Sequence, residues 1–229
     1  MVIKLFSAFM LVSRTNINRA VRSVWEQNPD EFVAYVDEGG NLATLRGASI
    51  MLMESVAEDH YEDVNRCLHQ AIFNARYPWV LQCDDDDEVI CDVRRDMMPF
   101  CAPDVGVIVG SKFVRLLNGT VEHREPREVR GPMDLPGGMP GSVRLYNRDA
   151  FRRIYPNLDL NHPREEFGSD YGYFWDWKIG YWLLRAGYRI VNCGVDVCVE
   201  NLNPNRSEKM KRLEWGQVVR NRDKRELIL

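Results

Sequence analysis

The chain has 229 residues, 45% hydrophobic and 28% charged, and 34 acidic against 30 basic side chains leave a net charge of −4. That length buries a substantial core, and the composition is that of a globular protein rather than a disordered or fibrous one. The slight acidity argues against a dedicated nucleic-acid binder.

The first run, Val2 to Val12, is short and contains Lys4 and Ser7. With no small-residue cleavage site it reads as a strand (apolar from Val2 to Phe9), not as a leader. From Thr15 or Asn16 as N-cap, Ile17, Ala20, Val21, Val24 and Trp25 follow a helical period that Asn28-Pro29 ends. Phe32 to Val36 reads as a strand, Ser49 to Met53 as another, and Asp59 to Ala75 as a helix with Leu68, Ala71 and Ile72 on one face. Trp79 to Cys83 is a further strand. Strand and helix alternating in this way predict a doubly wound parallel sheet.

The second half changes character. Val105 to Val109 reads as a strand, and Phe113 to Leu117 with Val121 as a hairpin around Asn118-Gly119. Residues 124 to 141 are rich in Arg, Pro and Gly without periodicity, which suits a functional loop that closes over a ligand. Then come a strand at Ser142 to Tyr146, helices at Arg148 to Ile154 and Tyr173 to Ala186, strands at Tyr188 to Cys193 and Val195 to Val199, and a basic C-terminal helix. With no linker and no repeat, residues 1 to 229 read as one domain. No segment reads as a membrane span. The six cysteines form no Cys-x-x-Cys pair and sit among apolar neighbours, which predicts reduced core thiols and a cytoplasmic protein.

The run Asp84-Asp85-Asp86-Asp87, at the end of the Trp79 to Cys83 strand, is the chemical centre of the sequence. Four adjacent carboxylates repel one another and have low strand propensity. A divalent cation offsets that repulsion, and the carboxyl ends of strands in an open α/β sheet are where ligands bind. The ordinary alternative is a solvated acidic loop. Gly-x-Gly-x-x-Gly, Walker, His-Glu-x-x-His and Gly-x-Ser-x-Gly motifs are all missing, and the four histidines are dispersed. What remains is metal-assisted phosphate chemistry or acid/base work by carboxylates.

Three pieces in order carry a resemblance. Val36-Asp37-Glu38-Gly39 ends one strand, Asp84-x-Asp86-Asp87 ends another, and Phe174-Trp175-Asp176-Trp177 opens a helix followed by Gly187-Tyr188-Arg189-Ile190, ten residues from Trp177 to Gly187. Over roughly residues 3 to 200 this resembles the family 2 and related glycosyltransferases of the GT-A fold. The resemblance implies a Rossmann-like mixed sheet, mostly parallel and flanked by helices. Residues 1 to 110 would bind the nucleotide sugar, and residues 111 to 229 the acceptor.

The resemblance also assigns roles. Asp37 would meet the nucleotide base or ribose, and Asp84 and Asp86 would hold Mn²⁺ or Mg²⁺ on the donor's diphosphate. Asp85 would belong to the donor site with them, and Gly138 to a small-residue loop beneath the sugar. Arg66 or Arg14 would contact phosphate. Asp176 would be the catalytic base of an inverting displacement, with Asp170 as the rival base, and Trp175 and Trp177 would flank the acceptor. The chain departs from the family in having Trp175 where Glu is usual, Leu68-His69 where the second helix usually has Arg-Asn, and no C-terminal His to complete a metal site.

The implied activity is transfer from a nucleotide sugar, a UDP-sugar first among them, to a glycan or to a modified DNA base of bacteriophage type. The arginines at 124, 127 and 130 leave room for such a polyanion. A nucleotidyltransferase or phosphodiesterase, and a GT-A-like binding module without turnover, are the competing readings.

Overall fold

The computed structural model describes residues 5–12, 17–36, 45–52, 60–116, 118–135, 139, 141–158 and 175–201. Its frame is a sheet of nine strands. The first half supplies β1 (Phe6–Val12), α1 (Asn18–Trp25), β2 (Glu31–Val36), β3 (Ser49–Leu52), α2 (His60–Asn74) and β4 (Trp79–Gln82). The second half supplies β5 (Asp87–Val89), β6 (Val105–Arg115), β7 (Val121–Arg124), β8 (Arg144–Asn147), α3 (Arg148–Ile154), α4 (Trp175–Arg185) and β9 (Arg189–Asn201).

Strands run in the order β3-β2-β1-β4-β8-β6-β9-β5, with β7 hydrogen-bonded to β6. β1, β2, β3 and β4 are mutually parallel, β8 is antiparallel to both β4 and β6, and β6 is parallel to β9. Six of the nine strands therefore point the same way, and β5, β7 and β8 run against them. This is the mixed, mostly parallel sheet that the resemblance implies. Among the described residues no helix is long and apolar enough to cross a membrane.

Each face of the sheet is covered. Ile17, Ala20, Val21 and Val24 of the α1 region pack with Phe6, Ala8, Met10 and Leu81 on one face. On the other, Leu68, Ala71 and Ile72 of α2, Phe151 of α3 and Ile179 and Leu183 of α4 pack with Phe9, Val80 and Val107. Alternate residues of β1 and β4 fall into the two clusters, as the two-residue period of a strand requires. α1 starts at Asn18, and its N-cap position is Ile17 without a side-chain cap. Thr15 and Asn16 lie outside the described residues, as does the basic C-terminal segment.

Two departures from the sequence reading shape the second half. The strands expected at 188–193 and 195–199 are one strand, bulged at Gly194, whose φ of +76° suits glycine. Its neighbour β6 extends to Arg115, with register shifts around Val109, Ser111 and Lys112. In addition, Asp87–Val89 is a strand rather than the tail of an acidic loop. The six cysteines form no disulfide, and five of them are buried.

Candidate functional site

The acidic run links the middle of the sheet to its far edge. In strand order β8, β6 and β9 lie between β4 and β5, about 19 Å across a flat sheet. The Asp87 N–H donates to the Asp84 carbonyl at 3.1 Å and closes a tight turn, so the run cannot reach that far. The sheet must curl, and the bulges in β6 and β9 bring the β5 edge over the end of β4. β5 is also tied to α1, where the Val89 N–H donates to Ser23 Oγ at 2.9 Å.

Four neighbouring carboxyl groups thus acquire four environments. Asp84 and Asp86 are half-buried, whereas Asp85 and Asp87 are 3% and 2% exposed. Asp84 Oδ1 accepts from Gln82 Nε2 at 3.2 Å. The Asp86 carbonyl accepts from Asn201 Nδ2 at 2.6 Å, and Asn201 Oδ1 accepts from Arg115 Nη1 at 2.7 Å. The Cys83 thiol faces the Asp84 and Asp87 carbonyls at 3.5 Å each, and burial raises it well above its ordinary range.

Asp87 is paired in register with Glu200 of β9. Lys112 forms an ion pair with Glu200 and donates to Ser142 Oγ at 3.1 Å. Burial first, and then the charges of Asp84, Asp86 and Glu200, push the Asp87 carboxyl up to about 9, with Lys112 pulling the other way. Asp87 Oδ1 is buried and has no hydrogen-bond partner among the described residues. The turn therefore sets the like charges of Asp84, Asp86 and Glu200 around a buried carboxyl, an arrangement that a divalent cation relieves.

Among the described residues no three His, Cys, Asp or Glu side chains form a group that could hold a metal. A Mg²⁺-type site does not need one, because such ions commonly take one or two carboxylates plus substrate phosphate oxygens. Two half-buried carboxylates beside a buried oxygen with no partner among the described residues fit that donor set.

The other predicted residues are placed less closely. β1, β2 and β4 are in parallel register, so Val12 and Val36, the strand ends that precede Arg14 and Asp37, share the carboxyl edge with Gln82. Arg14, Asp37, Gly138 and Asp170 themselves lie outside the described residues. Arg66 is half-buried on α2, and among the described residues nothing joins it to the acidic turn. Trp175, Asp176 and Trp177 form the first turn of α4, as expected, but their side chains lie outside the description.

α4 is packed close to the segment before β8. A Cβ on Gly180 would lie 3.0 Å from Leu135 Cδ1 and 3.3 Å from Met139 Sδ. His69 of α2 is fully buried against Phe151, and burial lowers it to about 4. Gln82, Glu200 and Lys112 were not singled out from the sequence. Glu200 and Lys112 reach Asp87 through the pairing of β5 with β9 and of β6 with β9, and Gln82 reaches Asp84 from the end of β4, which no local pattern announces.

No protein-family model matches this chain, and no curated protein does. Solved structures do. A protein from Bacillus anthracis assigned as a glucose-1-phosphate thymidylyltransferase, in complex with sucrose, superposes with a TM-score of 0.50 at 13% identity, covering 93% of this chain and 95% of that one. A 4-diphosphocytidyl-2C-methyl-D-erythritol synthase from Anaerococcus prevotii gives 0.47 at 8% identity, over 96% and 99% of the two chains. A glycosyltransferase involved in glycosylation of the major capsid of PBCV-1 gives 0.46 at 11% identity, over 92% and 99%. At such identity the first likeness is one of fold, and it agrees with the strand order in giving this chain a Rossmann-like fold of the GT-A type.

Proposed function

We propose that the chain is a metal-dependent glycosyltransferase that moves a sugar from a nucleotide-diphosphate donor, a UDP-sugar first, to a glycan hydroxyl with inversion. The observation that carries this reading is the pair of half-buried carboxylates, Asp84 and Asp86, at the carboxyl end of β4 beside Asp87 Oδ1, which has no partner among the described residues. Asp84 and Asp86 would hold Mn²⁺ or Mg²⁺, which supplies the positive charge that stabilises a departing nucleoside diphosphate. Asp37 accepts hydrogen bonds from the nucleotide, Arg14 or Arg66 meets phosphate, Asp85 backs the donor site, and the backbone at Gly138 underlies the sugar.

Asp176 is the proposed base. It stands in the first turn of α4, where unpaired N–H groups favour an ionised carboxylate. It takes the acceptor hydroxyl's proton as that oxygen bonds to the anomeric carbon and the diphosphate leaves. Trp175 and Trp177 flank the acceptor with their ring faces. A glycan suits the acceptor side better than modified DNA, because Arg124 and Arg130 are each held at 2.7 Å by Glu122 and Glu128. Those pairs cut the local pull on a polyanion.

Incubation with Mn²⁺ and a panel of UDP-sugars should release UDP and free sugar slowly, and chelation should stop it. Pyrophosphate from a nucleoside triphosphate and a sugar phosphate would instead make the chain a nucleotidyltransferase. Nucleotide binding without any product would make it a binding module. Asp176→Asn should lower transfer by about 10²- to 10⁴-fold, the usual worth of a positioned base, while donor affinity stays within a few-fold. Asp170→Asn should be milder, and the reverse order would move the base role to Asp170.

A further inference from the structure

The antiparallel pairing of β4 with β8 sets Arg144 opposite Gln82 and Tyr146 opposite Val80. Tyr146 is then the diagonal neighbour of Gln82 on the same face, within reach of a long side chain. Tyr146 and Gln82 are 0% and 5% exposed, and Arg144 is a buried arginine at 8%. Buried polar groups in such a place are retained only when they are hydrogen-bonded.

Their bonds run in one direction. Arg144 Nη2 donates to the Met139 carbonyl at 3.1 Å, and its Nη1 makes a long contact of 3.5 Å with the Tyr146 hydroxyl. The Tyr146 hydroxyl donates to Gln82 Oε1 at 3.0 Å, and Gln82 Nε2 donates to Asp84 Oδ1 at 3.2 Å. Each donor passes the polarisation onward, from a guanidinium at one end to a carboxylate at the other. An isolated Gln82 amide could turn either way; accepting from Tyr146 fixes its oxygen toward β8 and its NH₂ toward Asp84.

The geometry points to Tyr146 and Gln82 as positioning residues that aim the Asp84 carboxylate, with Arg144 tying the same chain to the backbone at Met139. The inference rests on the donor-site reading above, in which Asp84 contacts a metal-bound diphosphate. It adds that the turn is preorganised from behind, through β8, and that the Met139 backbone and the acidic turn are held by one polar network.

The test is a cycle of two shape-conserving variants, Tyr146→Phe and Gln82→Met, read as the affinity for UDP in the presence of Mn²⁺ by calorimetry, with melting temperature measured alongside. In a serial relay Gln82→Met weakens binding by about 3- to 10-fold, the net worth of one ordinary hydrogen bond. Tyr146→Phe weakens it by a similar or smaller factor. Adding Tyr146→Phe to Gln82→Met then costs no further affinity, because the link it breaks is already gone. A purely structural role would move the melting temperature and leave affinity unchanged, or give losses that multiply, and either result overturns the relay while leaving the donor site standing. A wild-type protein that binds no UDP with Mn²⁺ overturns the donor-site reading, and the relay with it.

Discussion

The two halves of the sheet are built by different rules. From β3 to β4 the strands are parallel and in unbroken register, and what they offer chemically lies at their carboxyl ends. From β6 to β5 the pairing is mixed, the register slips, and a buried carboxyl, Asp87, sits within a strand itself. Regular strands make an edge; irregular ones make a fold-over that closes on that edge. The acidic turn belongs to both, with Asp84 leaving the regular half and Asp87 opening the curled one.

The largest effect should come from the junction. Asp86→Asn should reduce Mn²⁺-dependent nucleotide affinity by at least about 10²-fold, the upper end of what even an outer partner's loss costs a metal site. Folding should be intact or improved, since the change removes one like charge from beside Asp87. Unchanged Mn²⁺-dependent binding in that variant would detach the metal from the turn and leave the curl as architecture alone.

The curl itself depends on close backbone approach. A Cβ on Gly110 would run into Val197 Cγ1 and lie 2.5 Å from the Val195 carbonyl oxygen, and a backbone atom cannot step aside as a side-chain tip can. Gly110→Ala should therefore cost about 3 kcal/mol in denaturant unfolding, at the upper end for overpacking. It should also weaken nucleotide binding, because β9 holds the Asp86 carbonyl through Asn201. Leu52→Ser on the exposed edge strand β3 is the matched control in the regular half, at within about 0.5 kcal/mol. Equal costs at the two sites would remove the distinction between the halves.

That distinction also marks how far the sequence could be read. β2 and α2 announce themselves because apolar residues recur at the period of the element and turn residues bound them. The acidic run stood out as a candidate site by its position after β4. What stayed hidden depends on pairing at long range. Asp87-Glu88-Val89 has no strand pattern of its own and is extended only because β9 pairs with it. Gly194 reads as a break between strands and is a bulge within one. That Asp87 rather than Asp84 or Asp86 is the most buried of the flanking carboxyls follows from the curl, and that Gln82 faces Asp84 with Tyr146 behind it follows from the β4–β8 register.

The smallest effect is also the most direct reading of the curl, and it lies in the pH dependence of stability. With its carboxyl raised to about 9 in the folded protein, against an ordinary value of 3.8, Asp87 keeps its proton in the native state while the unfolded chain loses it. Between those two values the folded state binds the extra proton, so this group's contribution to stability falls as pH rises, at up to about 1.4 kcal/mol per pH unit. Above about 9 both states are ionised and the loss stops. Asp87→Asn keeps the shape, cannot ionise and should remove that part of the slope. In melts at low ionic strength without divalent cations, the variant should gain at least about 2 °C on wild type between pH 5.5 and 8.5. Mn²⁺ should narrow the gap by favouring the ionised wild-type carboxyl. Parallel pH profiles for the two proteins would mean that β5 does not bury Asp87, and that the sheet does not fold over the end of β4 as tightly as its pairing requires.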